Sequence, residues 1–135
     1  MKDLLNARIK RREWFRPFAP SVIEEAAGDY FEGHGPSPFM EMTCRVNAAK
    51  RSVIPATTHA DGSARLQTVN RTTQPLYWRL IKEFGELTGI PVILNTSFNE
   101  NEPIVRAPEE AIDCFLRSGM ETLVIGESVI TRGLP

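Results

Sequence analysis

A short apolar run that breaks into polar residues is the feature that most constrains the fold. The run is Pro91 to Leu94, and polar side chains follow it from Asn95 to Glu102. Helical patterns precede and follow this stretch, so the run predicts a buried strand between two helices. In open α/β sheets, ligands bind beyond the carboxyl ends of strands. We therefore expect the polar loop to lie at a binding site.

The loop offers neutral hydrogen-bonding groups, supplied by Asn95, Thr96, Ser97 and Asn99. Amides and hydroxyls of this kind present several donors and acceptors to a planar or phosphorylated group without adding net charge. The alternative is an Asx or Ser/Thr turn that only satisfies its own backbone. The residues alone leave both interpretations open.

The helical patterns are amphipathic and have recognisable ends. Residues 2–12 predict a first helix with an apolar edge and a cationic face. Ser21, with Glu24 three residues on, makes a capping-box pattern for a second helix that ends before Gly33. Two further helices are predicted to start at Pro75 and near Pro108, and glycines at 89 and 119 end them.

Alternating apolar residues predict the strands. One covers Ser37 to Val46, and another follows the Asp61-Gly62 turn as far as Val69. Thr122 to Ile130 predicts a last strand. Helices and strands in this order favour a mixed α/β (α+β) fold, in which a twisted mixed sheet is covered by helices.

Composition narrows the class of protein. The chain has 135 residues, which is the size of one domain, and its net charge is −1. Such a balance gives no sign of a nucleic-acid or membrane partner. Cys44 and Cys114 are far apart in the sequence, and we interpret them as free thiols. The first residues lack the apolar stretch of a signal peptide, so we expect a cytoplasmic protein.

Basic residues cluster near the start of the chain. They are Arg8, Lys10, Arg11, Arg12 and Arg16. Guanidinium groups bind phosphate or carboxylate in a bidentate manner, so this cluster suits a phosphorylated small molecule. The alternative is a solvated helix face. No nucleophile motif is present, so no catalytic residue and no metal ligand is predicted from the residues.

Four stretches then resemble the C-terminal domain of the NodU/CmcH carbamoyltransferases, in the order of that family. They are MKDLLNARIKRREWFRPFAPSVI (1–23), IPATTHADGSARLQTV (54–69), PVILNTSFNENEPIV (91–105) and PEEAIDCFLRSGMETLVIG (108–126). The pairing of RPFAPSV with LNTSFN is highly specific. The resemblance makes residues 1–135 a YrdC-like domain, and the family's Arg- and Gly-rich segment upstream of Met1 is absent, which suggests a domain incomplete at its N-terminus.

The resemblance implies a function and its cofactors. In that family the YrdC-like part makes carbamoyl adenylate from ATP and carbamoyl phosphate, with Mg²⁺ carried by the nucleotide. A Kae1-like domain, to which iron belongs, then moves the carbamoyl group to a hydroxyl acceptor. We expect such a partner in cis or as a separate subunit, and we expect this chain alone not to complete the reaction.

The resemblance also suggests binding residues. YrdC-like folds use a Lys-x-Arg pair and a Ser-x-Asn pair, which Lys10, Arg12, Ser97 and Asn99 match in spacing. Asn95, Thr96 and, as a second-rank candidate, Arg65 complete the predicted nucleotide and carbamoyl phosphate site. Two other functions remain: a non-catalytic nucleotide-binding module and an RNA-binding YrdC-like domain.

Overall fold

The structure is a computed structural model that describes residues 1–133. The chain divides into two compact units, described separately below. The first comprises Met1–Arg16 and Ser97–Pro135, and the second is Pro17–Thr96. None of the helices in the described part of the chain is long and apolar enough to cross a membrane.

The regular elements of the described residues are numbered in chain order. The helices are α1 (Lys2–Leu4), α2 (Ala27–Tyr30), α3 (Pro75–Thr88) and α4 (Pro108–Arg117). The strands are β1 (Ala19–Ile23), β2 (Phe31–Glu32), β3 (Met42–Val46), β4 (Ser63–Val69), β5 (Val92–Asn95), β6 (Thr122–Ile125) and β7 (Ser128–Thr131). A π-helical turn, Leu5–Ile9, continues α1, and short 3₁₀ turns occupy Glu24–Ala26 and Ala48–Lys50.

A five-stranded mixed sheet organises the second unit, in the order β2-β3-β4-β1-β5. Strands β1 and β4 run parallel, and the other neighbouring strands are antiparallel. Packing of helices against this sheet confirms the mixed α/β fold expected from the sequence. The predicted strand at Pro91 to Leu94 is present as β5, at the edge of the sheet.

The core of this unit lies on one face of the sheet. Buried and exposed residues alternate on β4: Ala64 and Leu66 are fully buried, and Arg65 between them is exposed. Val22 of β1 pairs with Val92 of β5 and belongs to the same apolar cluster. The alternation predicted for residues 64–68 is therefore confirmed, because one face of β4 packs on the core and the other does not.

Helix α3 begins and ends as predicted. Pro75 occupies its first turn, and Gly89 ends it in the left-handed conformation with φ +75° and an N–H bonded to the Gly85 carbonyl. Ile81 is fully buried, but Leu76 and Leu87 are exposed. The apolar arc of the helix is thus wider than the strip that meets the sheet, since Leu76 lies about 140° round the axis from Ile81.

The predicted helix at Ser21 is wrong. Ser21 lies in β1, fully buried, and its Oγ donates to Oε1 of Gln67 at 2.6 Å. Helical backbone starts only at Glu24, as a 3₁₀ turn that leads into the four-residue α2. Pairing of β1 with strands on both sides overrides the local capping pattern, because the hydroxyl finds its partner across the sheet.

The strand predicted from Ser37 is shorter than expected and starts at Met42. Ser37 itself is buried in the preceding loop, where its backbone N–H donates to Oγ1 of Thr68 at 2.8 Å. Its Oγ donates to the carbonyl of Leu66 at 3.0 Å. These bonds hold the loop across β4 and keep residues 37–41 out of the strand.

The first unit contains helix α4 and a hairpin. Pro108 lies in the first turn of α4, as predicted, and Glu109 and Glu110 follow it where the helix macrodipole favours carboxylates. The single last strand predicted for Thr122 to Ile130 is instead two strands, β6 and β7, paired antiparallel. Gly126 makes the break with φ +57°, a conformation that hairpin turns require.

Two other predictions concern the end of the first helix and the two cysteines. The helix predicted for residues 2–12 stops at Ile9, and Arg11 beyond it adopts φ +42°. Lys10, Arg11 and Arg12 therefore lie past the helix rather than on its face. Cys44 in the second unit and Cys114 in the first are both free and buried, which confirms their interpretation as thiols.

Leu66→Ala tests the assignment of the core. We expect a loss of about 2–5 kcal/mol in the free energy of unfolding, because the side chain is fully buried among apolar neighbours. Leu87→Ala, at an 87%-exposed position on α3, should change it by less than about 0.5 kcal/mol. Urea unfolding followed by circular dichroism measures both. Equal losses from the two variants would contradict the assignment.

Candidate functional site

The first unit buries a lysine against the polar loop. Lys10 follows the π-helical turn and is only 3% exposed. Its Nζ donates to the carbonyl of Ser97 at 3.1 Å and to the carbonyl of Asn99 at 2.6 Å. It also contacts Oγ of Ser97 at 3.4 Å and Oδ1 of Asn99 at 2.7 Å. The Lys-x-Arg and Ser-x-Asn motifs are therefore in direct contact through Lys10.

The Ser97–Asn99 turn is shaped around this ammonium group. Oγ of Ser97 donates to Oδ1 of Asn99 at 2.6 Å, and the Asn99 backbone N–H donates to the Ser97 carbonyl at 3.2 Å. Nδ2 of Asn99 donates to the carbonyl of Glu102 at 2.6 Å. The turn thus presents four oxygen atoms to Lys10 and fixes them by its own hydrogen bonds. The alternative, a polar turn that only satisfies its own hydrogen-bonding groups, explains the bonds within the turn but not those to Lys10.

The Lys10 charge is held by neutral groups. None of the ion pairs formed within residues 1–133 includes Lys10. Burial lowers the pKa of Lys10, and the nearby Arg12 charge lowers it further. Carbonyl and amide oxygens stabilise the ammonium form but do not cancel its charge. A charge of this kind favours an approaching anion.

Arg12, the second residue of the pair, is half-buried and anchored on Asn6. Its Nε donates to Oδ1 of Asn6 at 2.8 Å. Burial lowers the pKa of Arg12, and the neighbouring charge of Arg16 adds to this. Sequence reasoning missed Asn6, although an Asn among apolar residues of a helical pattern is a recognisable sign of a special role, since Asn competes with helix formation.

A second network of charges holds the far end of the loop on helix α4. Arg117 contacts Glu102 at 2.9 Å, Asp113 at 2.9 Å and Glu100 at 3.4 Å. Glu100 also receives Arg11 at 3.1 Å. Hydrogen bonds to Asp113 and then Glu102 raise the pKa of Arg117 above its ordinary value. These residues were not predicted. Asp113 and Arg117 have the i,i+4 spacing of a helical ion pair, but Glu100 and Glu102 lie 17 and 15 positions from Arg117.

A cleft of about 500 Å³ opens beside this network in the same unit. Its lining includes Glu102, Val105, Arg106, Asp113 and Arg117. Cavities that bind small molecules have volumes of about 300–1,000 Å³, so this cleft is within that range. Its walls mix both signs of charge with apolar surface.

The other predicted binding residues lie in the second unit. Asn95 ends β5, and its Nδ2 donates to Oε1 of Gln67 at 2.7 Å. Arg65 is exposed on β4, on the same face of the strand as Gln67. Thr96 is exposed at the end of this unit. The structure thus brings together Lys10, Ser97 and Asn99, and it places Arg65, Asn95 and Thr96 in the other unit.

His59 belongs to the turn that precedes β4. Its Nδ1 lies 3.1 Å from Oγ of Ser63, and that hydroxyl donates to Asp61 at 2.7 Å. His59 therefore supports the Asp61-Gly62 turn. Within residues 1–133, no group of three or more His, Cys, Asp or Glu side chains is close enough to hold a metal ion.

Comparison with known proteins identifies the family. Residues 1–132 match the family model described as "Carbamoyltransferase C-terminus". The chain therefore belongs to the carbamoyltransferase C-terminus family, as the motifs around Lys10 and Ser97 suggested.

Several relatives are nodulation proteins. The chain is 48% identical to Nodulation protein NolO of Bradyrhizobium diazoefficiens, across 97% of this chain and 25% of that protein. It is 46% identical to Nodulation protein NolNO of Sinorhizobium fredii, across 97% of this chain and 20% of that protein. Nodulation protein U of Rhizobium tropici is 44% identical over 73% of this chain and 17% of its own length. The chain thus spans a quarter or less of these relatives.

The Glu102–Arg117 contact should make stability depend on pH. Hydrogen bonds from its own backbone N–H and from Arg117 lower the pKa of the Glu102 carboxyl from 4.5 to about 2. A lowered pKa stabilises the folded state above pH 4.5, and this contribution is lost as the pH falls towards 2. Glu102→Gln should therefore flatten the fall of the unfolding free energy across that interval. Unfolding in urea at a series of pH values tests this, and an unchanged slope would contradict it.

Proposed function

We propose that this chain binds ATP and carbamoyl phosphate and forms carbamoyl adenylate, as the C-terminal part of an O-carbamoyltransferase. The observation that carries the proposal is the buried Lys10 ammonium, held by Ser97 and Asn99 without a paired carboxylate. The carbamoyltransferase family supports it. A Kae1-like domain, in cis or as a separate subunit, would complete transfer to a hydroxyl acceptor.

The proposed reaction has two steps. Carbamoyl phosphate is hydrolysed to carbamate and inorganic phosphate. A carbamate oxygen then attacks the α-phosphorus of ATP, and the bond from that phosphorus to the bridging oxygen of pyrophosphate breaks. Both steps move negative charge among oxygens, so positioning and electrostatic stabilisation account for most of the catalysis.

The residues of the first unit have distinct proposed roles. Lys10 and Arg12 offset the charge of the carbamate and of the departing pyrophosphate. Ser97 and Asn99 fix Lys10. In this proposal the Ser97 hydroxyl exchanges its bond to Oδ1 of Asn99 for a phosphate oxygen, and Asn99 donates a hydrogen of Nδ2. Mg²⁺ enters with ATP as part of the substrate.

In the second unit, considered by itself, three residues are proposed to bind the nucleotide or carbamoyl phosphate. Asn95 and Thr96 present an amide and a hydroxyl at the end of β5, and Arg65 adds a guanidinium on β4. Asn95 is oriented by Gln67, which also receives the Ser21 hydroxyl. Support of this kind gives Asn95 a fixed direction, as binding residues require.

Lys10→Ala and Ser97→Ala test the binding site. Each should weaken the binding of Mg–ATP and of carbamoyl phosphate, Lys10→Ala by roughly 10- to 150-fold, because a charge-assisted contact contributes about 1.5–3 kcal/mol. Lys82→Ala removes a half-exposed lysine on α3 that pairs with Glu86, and should leave both affinities unchanged. Isothermal titration calorimetry on folded variants measures the constants. Equal effects of the Lys10 and Lys82 variants would refute the site.

Product analysis tests the reaction. Purified chain with ATP and carbamoyl phosphate should release pyrophosphate, and should not carbamoylate an added sugar or alcohol, because the transferring domain is a separate part of the enzyme. Binding without pyrophosphate release would instead identify a non-catalytic nucleotide-binding module. Affinity for RNA that falls steeply with salt, in place of nucleotide binding, would identify a nucleic-acid-binding domain.

A further inference from the structure

Asn6 is fully buried in the first unit. Its side-chain amide makes hydrogen bonds to three residues of the segment that follows the π-helical turn. Its Nδ2 donates to the carbonyls of Trp14 at 3.2 Å and Arg16 at 2.9 Å. Its Oδ1 accepts the Nε hydrogen of Arg12 at 2.8 Å. Both amide hydrogens and one oxygen lone pair are thus engaged in hydrogen bonds.

Backbone hydrogen bonds also connect Leu5 and Asn6 to residues 10 and 12. The Arg12 N–H donates to the Asn6 carbonyl at 3.0 Å, and the Lys10 N–H donates to the Leu5 carbonyl at 2.8 Å. Arg11, which lies between them, has φ +42°, a backbone conformation that residues other than glycine rarely adopt. The chain therefore leaves the π-helical turn and wraps round the Asn6 amide, so this amide determines the path of residues 10–16.

We propose that Asn6 is a positioning residue, which fixes the Arg12 guanidinium for anion binding. The inference rests on the proposed function, in which Arg12 contacts phosphate, while Asn6 itself touches no ligand. A long arginine side chain loses considerable rotamer entropy when it is ordered. Holding Nε in the free protein removes part of that cost from binding.

Two variants separate these effects. Asn6→Ala removes all three contacts. Asn6→Asp keeps the acceptor for Arg12 and makes it negative, but it also loses the two bonds to the Trp14 and Arg16 carbonyls, because a carboxylate cannot donate. Asn47 provides the matched control, since its Nδ2 also donates to two backbone carbonyls, those of Gly28 at 3.2 Å and Asp29 at 2.8 Å. Asn47→Ala therefore loses two side-chain bonds of the same kind, but in the second unit.

The first measurement needs no ligand. In ¹⁵N-labelled protein, hydrogen exchange at Nε of Arg12 reports whether this group is held by a hydrogen bond. We expect exchange to become roughly tenfold faster in Asn6→Ala and to stay unchanged in Asn47→Ala, because only the former removes the acceptor. Equal exchange rates in the wild-type protein and Asn6→Ala would overturn the inference, whatever the ligand.

The second measurement is calorimetric titration with pyrophosphate. Asn6→Ala and Asn6→Asp should each weaken binding roughly tenfold, and Asn6→Ala should cause no further loss in an Arg12→Gln background. A loss of equal size in that background would show that Asn6 acts only through stability, and would overturn the proposed role. If the wild-type protein binds neither pyrophosphate nor ATP, the proposed function fails, while exchange at Nε of Arg12 still decides the Asn6 contact.

Discussion

The first unit depends on burying the Lys10 ammonium among oxygens of the Ser97–Asn99 turn. Removing such a charge from water is costly unless other dipoles replace the water. Four oxygens do so here, from residues 87 and 89 positions further along the chain. The contact therefore ties the N-terminal segment to the loop after β5, and it makes the shape of that loop depend on a cation.

The two charge arrangements in this unit have different consequences. Around Arg117, three carboxylates surround one guanidinium, so its positive charge is fully used by these ion pairs, which hold the loop on α4. Around Lys10 the hydrogen-bond partners are neutral, and the Glu102 carboxylate acts on the ammonium group without an ion pair to it, so its positive charge is only partly offset. One arrangement fixes the loop, while the other leaves it able to attract an anion. This division agrees with a domain of the carbamoyltransferase family whose proposed substrates both carry phosphate.

Local signals predicted the elements whose ends are encoded nearby. Pro75 and Gly89 define α3, Pro108 opens α4, and alternation defines β4. The helix predicted at Ser21 was wrong, because its capping pattern was overridden by strand pairing with Gln67, 46 positions away.

The site was predictable in part for the same reason. The motifs containing Lys10, Ser97 and Asn99 were visible in the sequence, but the burial of Lys10 was not, since a charge run on a helix is usually solvated. The roles of Asn6 and Arg117 depend on contacts that only the folded chain creates.

Titration of Lys10 itself tests the central claim most directly. Selective ¹³C labelling at Cε allows its pKa to be followed by NMR in the free protein and with saturating Mg–ATP. The account predicts a pKa below the ordinary lysine value in the free protein, because of burial, and a rise when the nucleotide binds, because an adjacent anion favours the ammonium form. An ordinary pKa that ATP leaves unchanged would contradict it.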